Sequence, residues 1–157
     1  MAEIEIEDHA NVIIRPPVIY ALGLGFAVAL DYFMPLYLGL GKPAALIGWI
    51  LLAVGFILLG GSVISFIKNK QNPDPLTPTD QIYTGGLYAV SRNPIYLGFT
   101  LIYIALGLIF GSLWMFIALI PVLMTMHFGV ILREEAYLTE KFGASYLDYK
   151  NKVRRWI

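Results

Sequence analysis

Along the chain, charged positions come in clusters separated by long apolar windows. Between Arg15 and Lys42 the only charge is Asp31, and there is none between Lys42 and Lys68 or between Arg92 and Arg133. A helix rises about 1.5 Å per residue and needs about 20 apolar residues to cross about 30 Å of hydrocarbon. The first two windows therefore hold one span each. The third is long enough for two when a turn divides it, and Gly107, Gly111 and Ser112 supply one. The pattern predicts helices near 17–38, 44–67, 94–110 and 113–132. Strict alternation of the barrel-strand kind is absent, and lipid gives bare backbone no hydrogen-bond partner, so helices are the physical choice. The expected fold class is all-α: a polytopic membrane protein of about four transmembrane helices, forming one domain over 1–157.

Composition agrees. Of 157 residues 58% are apolar and 14% charged, with a mean hydropathy of +0.70, whereas a soluble domain keeps roughly a quarter of its residues charged. Eleven basic and eleven acidic residues cancel, which excludes both a broad basic field for nucleic acid and an acidic solvating tail. With no cysteine there is no disulfide framework, thiolate metal site, redox pair or cysteine nucleophile, and no metal is expected.

The basic residues set an orientation. With four spans, the N-terminus, the 68–92 loop and the C-terminal tail share one side, which collects every Lys and Arg except Lys42. That side is expected to be cytoplasmic. The chain start is acidic (Glu3, Glu5, Glu7, Asp8) and lacks the basic stretch of a signal peptide. Pro73, Pro75 and Pro78 deny a helix to the loop that leads to Gly85-Gly86. After the fourth span, Glu134 to Phe142 forms an amphipathic stretch that Gly143 can end. Beyond it Tyr146, Tyr149, Val153 and Trp156 interleave with Lys and Arg. Such a tail is expected to lie in the interface plane, its aromatics at headgroup depth. Most polar sequence is on this side, so the chemistry is expected at the cytoplasmic surface.

At Gly86-Leu87-Tyr88-Ala89-Val90-Ser91-Arg92-Asn93-Pro94-Ile95-Tyr96-Leu97-Gly98 the chain resembles the isoprenylcysteine carboxyl methyltransferase and phospholipid methyltransferase superfamily. The superfamily pattern is Gly-x-Tyr, three residues, then Arg-His-Pro-x-Tyr-x-Gly. A second element agrees: Glu134-Glu135-x-x-Leu138, then Phe142-Gly143, Tyr146, Tyr149, Val153 and an Arg-rich end. The likeness covers roughly 44–157. It implies an integral membrane enzyme that uses S-adenosylmethionine without a Rossmann domain and methylates a lipophilic or small acceptor delivered by the bilayer. It further implies a cofactor pocket built from Tyr88, Arg92, Asn93, Pro94, Ile95, Tyr96, Glu134 and Glu135, with the preceding Asp80, Gln81, Ile82 and Tyr83 folding back over it. Sterol reductases of the related membrane fold carry a similar element and use NADPH, which is the rival enzymatic reading. The non-enzymatic rival is a membrane scaffold whose basic tail holds anionic lipid.

The residue types suit the first reading. Arg92 can clamp a carboxylate through paired hydrogen bonds, although a lone Arg beside a span also serves as a topology anchor. Pro94 in a first turn leaves backbone N–H groups at a positive helix end. Tyr88 and Tyr96 offer rings to a cation or adenine. Glu134 or Glu135 can accept from ribose hydroxyls or an ammonium. Adjacent helix positions point apart, so one carboxylate, Glu134 by alignment, is expected to face the ligand. His127 is a candidate base near the interface, and Arg92, Glu134 and His127 form the catalytic expectation. Gly85, Gly86 and Gly98 are expected to admit close approach of a ligand, and Gly55, Gly60 and Gly61 to serve helix packing. Asp31 is either functional or at the outer end of its helix.

Two departures bear on the acceptor. Asn93 stands at the family histidine and cannot titrate. Val130 occupies the position of an arginine associated with the substrate carboxylate, and Arg133 sits immediately before Glu134. A prenylcysteine carboxylate, a phospholipid amine and a small thiol all remain acceptors, and the sequence fixes no oligomeric state.

Overall fold

A computed structural model describes residues 8–157; Glu3, Glu5 and Glu7 of the acidic start lie outside them. Six α-helices follow in order: α1 (Pro16–Phe33), α2 (Gly41–Lys68), α3 (Pro94–Phe110), α4 (Leu113–Met126), α5 (Leu132–Phe142) and α6 (Ala144–Lys152). A turn of 3₁₀-helix spans Gly86–Ala89, and a π-turn, His127–Ile131, joins α4 to α5 without a break. α1, α2 and the continuous helix Leu113–Phe142 are long and apolar enough to cross a membrane; α3 is apolar but has 17 residues.

Helix ends follow from local chemistry. α1 stops at Phe33, short of the expected 38, because Pro35 forces the preceding Met34 out of helical conformation, at φ −142°. α3 begins at Pro94, whose missing N–H costs nothing in a first turn. It ends where Gly111 turns left-handed at φ +64°, and the Ser112 side chain then accepts from the Met115 N–H to start α4. The turn expected between 107 and 112 is therefore present, while the helix end expected at 132 is not. The π-turn carries the helix through to Phe142, where Gly143 ends it at φ +54°.

α2 and α3 pack along a seam of small residues. Gly48, Gly55 and Ser62 recur every seventh position and are all buried. Cβ atoms on the two glycines would meet the Ala105 and Gly98 carbonyls at 2.9 and 3.0 Å, so the helices touch backbone to backbone. Of the glycines expected in packing, Gly55 lies on the seam and Gly61 faces Leu87, whereas Gly60 faces open space. Gly98 belongs to the seam instead of approaching a ligand: its Cβ would meet Gly55 O at 2.9 Å.

α1 packs on α4, burying Ala27 and Ala118. The Tyr20 hydroxyl lies 2.8 Å from Thr100 Oγ1 and 3.2 Å from the Tyr96 carbonyl, tying α1 to the first turns of α3. Ile13 N–H donates to Gly129 O at 3.1 Å, docking the segment before α1 on the π-turn. At the opposite end Leu38 donates to Gly111 O, Leu113 to Leu36 O, and Trp114 Nε1 to Met34 O. Asp31 stands in the last turns of α1, its Oδ1 buried without a hydrogen-bond partner.

The seam makes a paired prediction. Gly55→Leu, which pushes against Gly98 O and Ile102, is expected to destabilise the bundle by about 1–3 kcal/mol in thermal or denaturant unfolding in detergent. Gly60→Ala, with no atom within 4 Å of the new methyl, is expected to be neutral or to stabilise by up to about 1 kcal/mol. Equal losses from both would refute the backbone-contact seam.

Candidate active site

Where α3 and α5 both begin, a cleft of about 870 Å³, counted to its open mouth, is walled by the 71–83 loop, the 3₁₀ turn, α3, α5 and α6. Three features of the sequence bring this wall together: a loop that prolines keep out of helix, a Pro start to α3, and the Gly143 corner that turns α6 back toward the 3₁₀ turn.

At the centre lies Arg92, its side chain 9% exposed. Its backbone N–H donates to Arg154 O at 3.0 Å. Asn93 Nδ2 and Ser91 Oγ donate to Arg155 O at 3.0 and 3.3 Å, so the C-terminal strand of chain straps the motif down. The Asn93 amide thus does its work on backbone. The guanidinium lies beside the Tyr146 phenol. Nη1 is 3.1 Å from Glu135 Oε1 but misaligned for a hydrogen bond, and Nε has no hydrogen-bond partner. A buried guanidinium with unmatched N–H groups at a cleft wall is a donor set awaiting an acceptor.

The two glutamates divide the polar work. Glu135 accepts from Arg155 Nε and Nη2 at 2.8 and 2.9 Å and lies 3.2 Å from Lys150 Nζ. Three cations therefore converge on one carboxylate. Glu134 accepts from the Tyr96 hydroxyl at 2.8 Å. Both glutamates border the cleft, which is wide enough to take in two helix positions about 100° apart.

Aromatic rings make up another wall. Phe66, Tyr83 and Tyr88 meet edge to face or tilted, with centroids 5.4–6.3 Å apart. The Tyr149 hydroxyl donates to Tyr88 O at 2.7 Å, holding the 3₁₀ turn against α6. Burial pushes the Tyr88, Tyr146 and Tyr149 phenols above their ordinary range, so all three stay protonated as donors.

Of the residues singled out in the sequence, Gln81, Ile82, Tyr83, Tyr88, Arg92, Asn93, Ile95, Tyr96, Glu134 and Glu135 border the cleft. Asp80 and Pro94 do not; Pro94 is buried as the first residue of α3. His127 lies on the π-turn with its ring edge-on to Phe128 at 4.8 Å and is not part of the cleft wall. Seven residues, about two helical turns, separate it from Glu134. Tyr146 and Tyr149, expected at headgroup depth, are buried in the cleft wall. Their i, i+3 spacing, which puts both rings on one helix face, was the available signal. Phe66 and Arg155 also escaped the sequence reading, because only the folded backbone brings them to the motif.

A second, apolar groove of about 600 Å³ shares Asn72–Pro75, Ile95 and Tyr96 with the cleft and runs between α1 and α2 past Pro16, Leu59, Val63 and Phe99. Arg15 Nε and Asp74 Oδ2 meet at 2.9 Å on its wall.

Residues 43–145 match the family described as phospholipid methyltransferase. The chain is 32% identical over 107 residues to a protein-S-isoprenylcysteine O-methyltransferase of Schizosaccharomyces pombe, covering 68% of this chain and 43% of that one. It is 32% identical over 114 residues to the Saccharomyces cerevisiae protein of the same name, covering 73% of this chain and 46% of the other. An uncharacterized protein of Haemophilus influenzae is 40% identical over 63 residues, 40% of this chain and the whole of that one. The chain thus spans less than half the length of the two yeast relatives. No solved structure matches. Because the match runs from the start of the small-residue seam through the arginine motif and the glutamate pair to the Gly143 corner, the chain belongs to the phospholipid methyltransferase family.

Proposed function

We propose that the protein is a methyltransferase that uses S-adenosylmethionine in this cleft and methylates a lipophilic acceptor reaching it from the bilayer. The observation that carries the reading is the buried Arg92 guanidinium, whose Nε lacks a partner at the cleft wall. The residues fit the cofactor. Arg92, with Lys150 and Arg155 close by and Glu135 as the single carboxylate among them, leaves positive charge for the cofactor's carboxylate. Glu134 suits its ammonium or ribose hydroxyls. The Phe66, Tyr83 and Tyr88 rings suit adenine or sulfonium.

The bound cofactor supplies an electrophilic methyl group on a sulfonium whose charge vanishes on transfer. The protein's part is to orient donor against acceptor and keep water out of the gap. Tyr96 and Ile95 stand where cleft and apolar groove meet, so an acceptor head can enter the cleft while its chain stays among Leu59, Val63 and Phe99. A carboxylate or thiolate acceptor arrives deprotonated and needs no base. For an amine, the Glu134 oxygen not bonded by Tyr96 is the group placed to take the proton. The named activity of the two yeast relatives favours an isoprenylcysteine-type carboxylate, with phospholipid amines and small thiols as the other acceptors.

We read the chain as one domain crossing the bilayer four times. α3, paired with α2 along the small-residue seam, is the fourth span, and the chain ends and the cleft face the cytoplasm. With no native cysteine, single substitutions report this directly. Lys70→Cys in right-side-out cells is expected to resist an impermeant maleimide and Gly39→Cys to react; the reverse would overturn the orientation.

Calorimetric titration with S-adenosylhomocysteine in detergent tests the cofactor. Wild type is expected to bind. Arg92→Ala and Glu134→Ala are expected to bind at least about tenfold more weakly, the scale of losing a charge-assisted hydrogen bond. Thermal protection by NADPH instead, or by neither ligand, would support the reductase or the scaffold reading in its place.

A further inference from the structure

Arg155 is absent from the cleft wall, yet it makes the strongest contact there: a two-bond fork on Glu135, a carboxylate 8% exposed. Glu135 is also the closest anion to Arg92, 3.1 Å from Nη1, but the two are out of line for a hydrogen bond. A buried carboxylate takes the best cation within reach, because an unpaired charge there is costly. Arg155 and Arg92 therefore compete for Glu135, and Arg155 holds both oxygens. Lys150, at 3.2 Å and more exposed, is the weaker third partner. We propose that Arg155 is a positioning residue that keeps Arg92 open to an anion: by occupying Glu135 it prevents that carboxylate from closing onto the Arg92 guanidinium. The inference rests on the cofactor reading above only for the identity of the anion.

The side chain can be tested apart from the backbone strap. Arg155→Ala keeps the carbonyl that accepts from Ser91 and Asn93 and removes only the fork. Two readouts on detergent-solubilised full-length protein are used: S-adenosylhomocysteine affinity by calorimetry, and the rate at which phenylglyoxal modifies Arg92 in the ligand-free protein, followed by peptide mass spectrometry. Arg155→Ala is expected to weaken binding about tenfold or more and to slow Arg92 modification, because Glu135 now covers it. Adding Glu135→Gln, whose amide forms no ion pair, is expected to return the Arg92 modification rate toward wild type, whatever it does to binding. Arg155→Lys, which keeps the charge and loses the fork, is expected to fall between. A purely structural arginine would leave the double variant at least as impaired as the single one. Unchanged Arg92 reactivity in Arg155→Ala, or failure of Glu135→Gln to restore it, overturns the proposal. Should wild type bind no S-adenosylhomocysteine, the cofactor reading falls, while the modification rates, which need no ligand, still decide the role of Arg155.

Discussion

A carboxylate buried at the end of a membrane helix has to be neutralised, and Glu135 is neutralised by cations from three separate parts of the chain: Arg92 before α3, Lys150 on α6 and Arg155 beyond it. The C-terminal segment cannot leave this carboxylate without stranding it, so the last helix folds back over the 3₁₀ turn. That fold-back buries Tyr146 and Tyr149, closes the aromatic wall and brings the Arg154 and Arg155 carbonyls to the arginine motif. One electrostatic requirement thus shapes both the tail and the pocket.

The second constraint is steric. In lipid, apolar side chains gain little by facing one another, so helix pairing depends on close approach and on polar contacts. Gly48, Gly55 and Ser62 on α2 meet Gly98 and Ala105 on α3, which fixes where the first turn of α3 stands. Tyr20, bonded at Thr100 and the Tyr96 carbonyl, fixes it from the other side. Tyr96 is therefore held between two helices before its hydroxyl reaches Glu134.

Three candidate spans and the shorter apolar α3 are legible because long charge-free windows have one physical explanation, and the site motif because Arg92, Pro94 and Tyr96 sit beside a helix start. What local pattern could not reveal were partnerships formed across the fold. Arg155 looked like one more basic residue of a tail, and Tyr149 like an interfacial anchor, since nothing in their neighbourhoods records a contact with residues 61 or 62 positions earlier. Residue type alone does not separate Gly60, which faces open space, from the seam, which period seven selects as Gly48, Gly55 and Ser62. The direction of His127 depends on a backbone irregularity, the π-turn, that side-chain pattern does not encode.

That irregularity, the π-turn from His127 to Ile131, has a geometric consequence for the whole end of the bundle that carries the cleft. A π-turn accommodates one residue more than an α-turn in the same length of helix, and one residue of α-helix is worth about 100° of rotation. α5 is therefore offset in rotation relative to a simple continuation of α4, and in that setting Glu134 meets Tyr96 and Glu135 meets Arg92. The helix works as an indexed shaft: the half before the π-turn is set by its contacts with α1, the half after it by the cleft, and five residues between them hold the offset. Gly129, whose carbonyl accepts from the Ile13 N–H, pins that offset to the segment before α1.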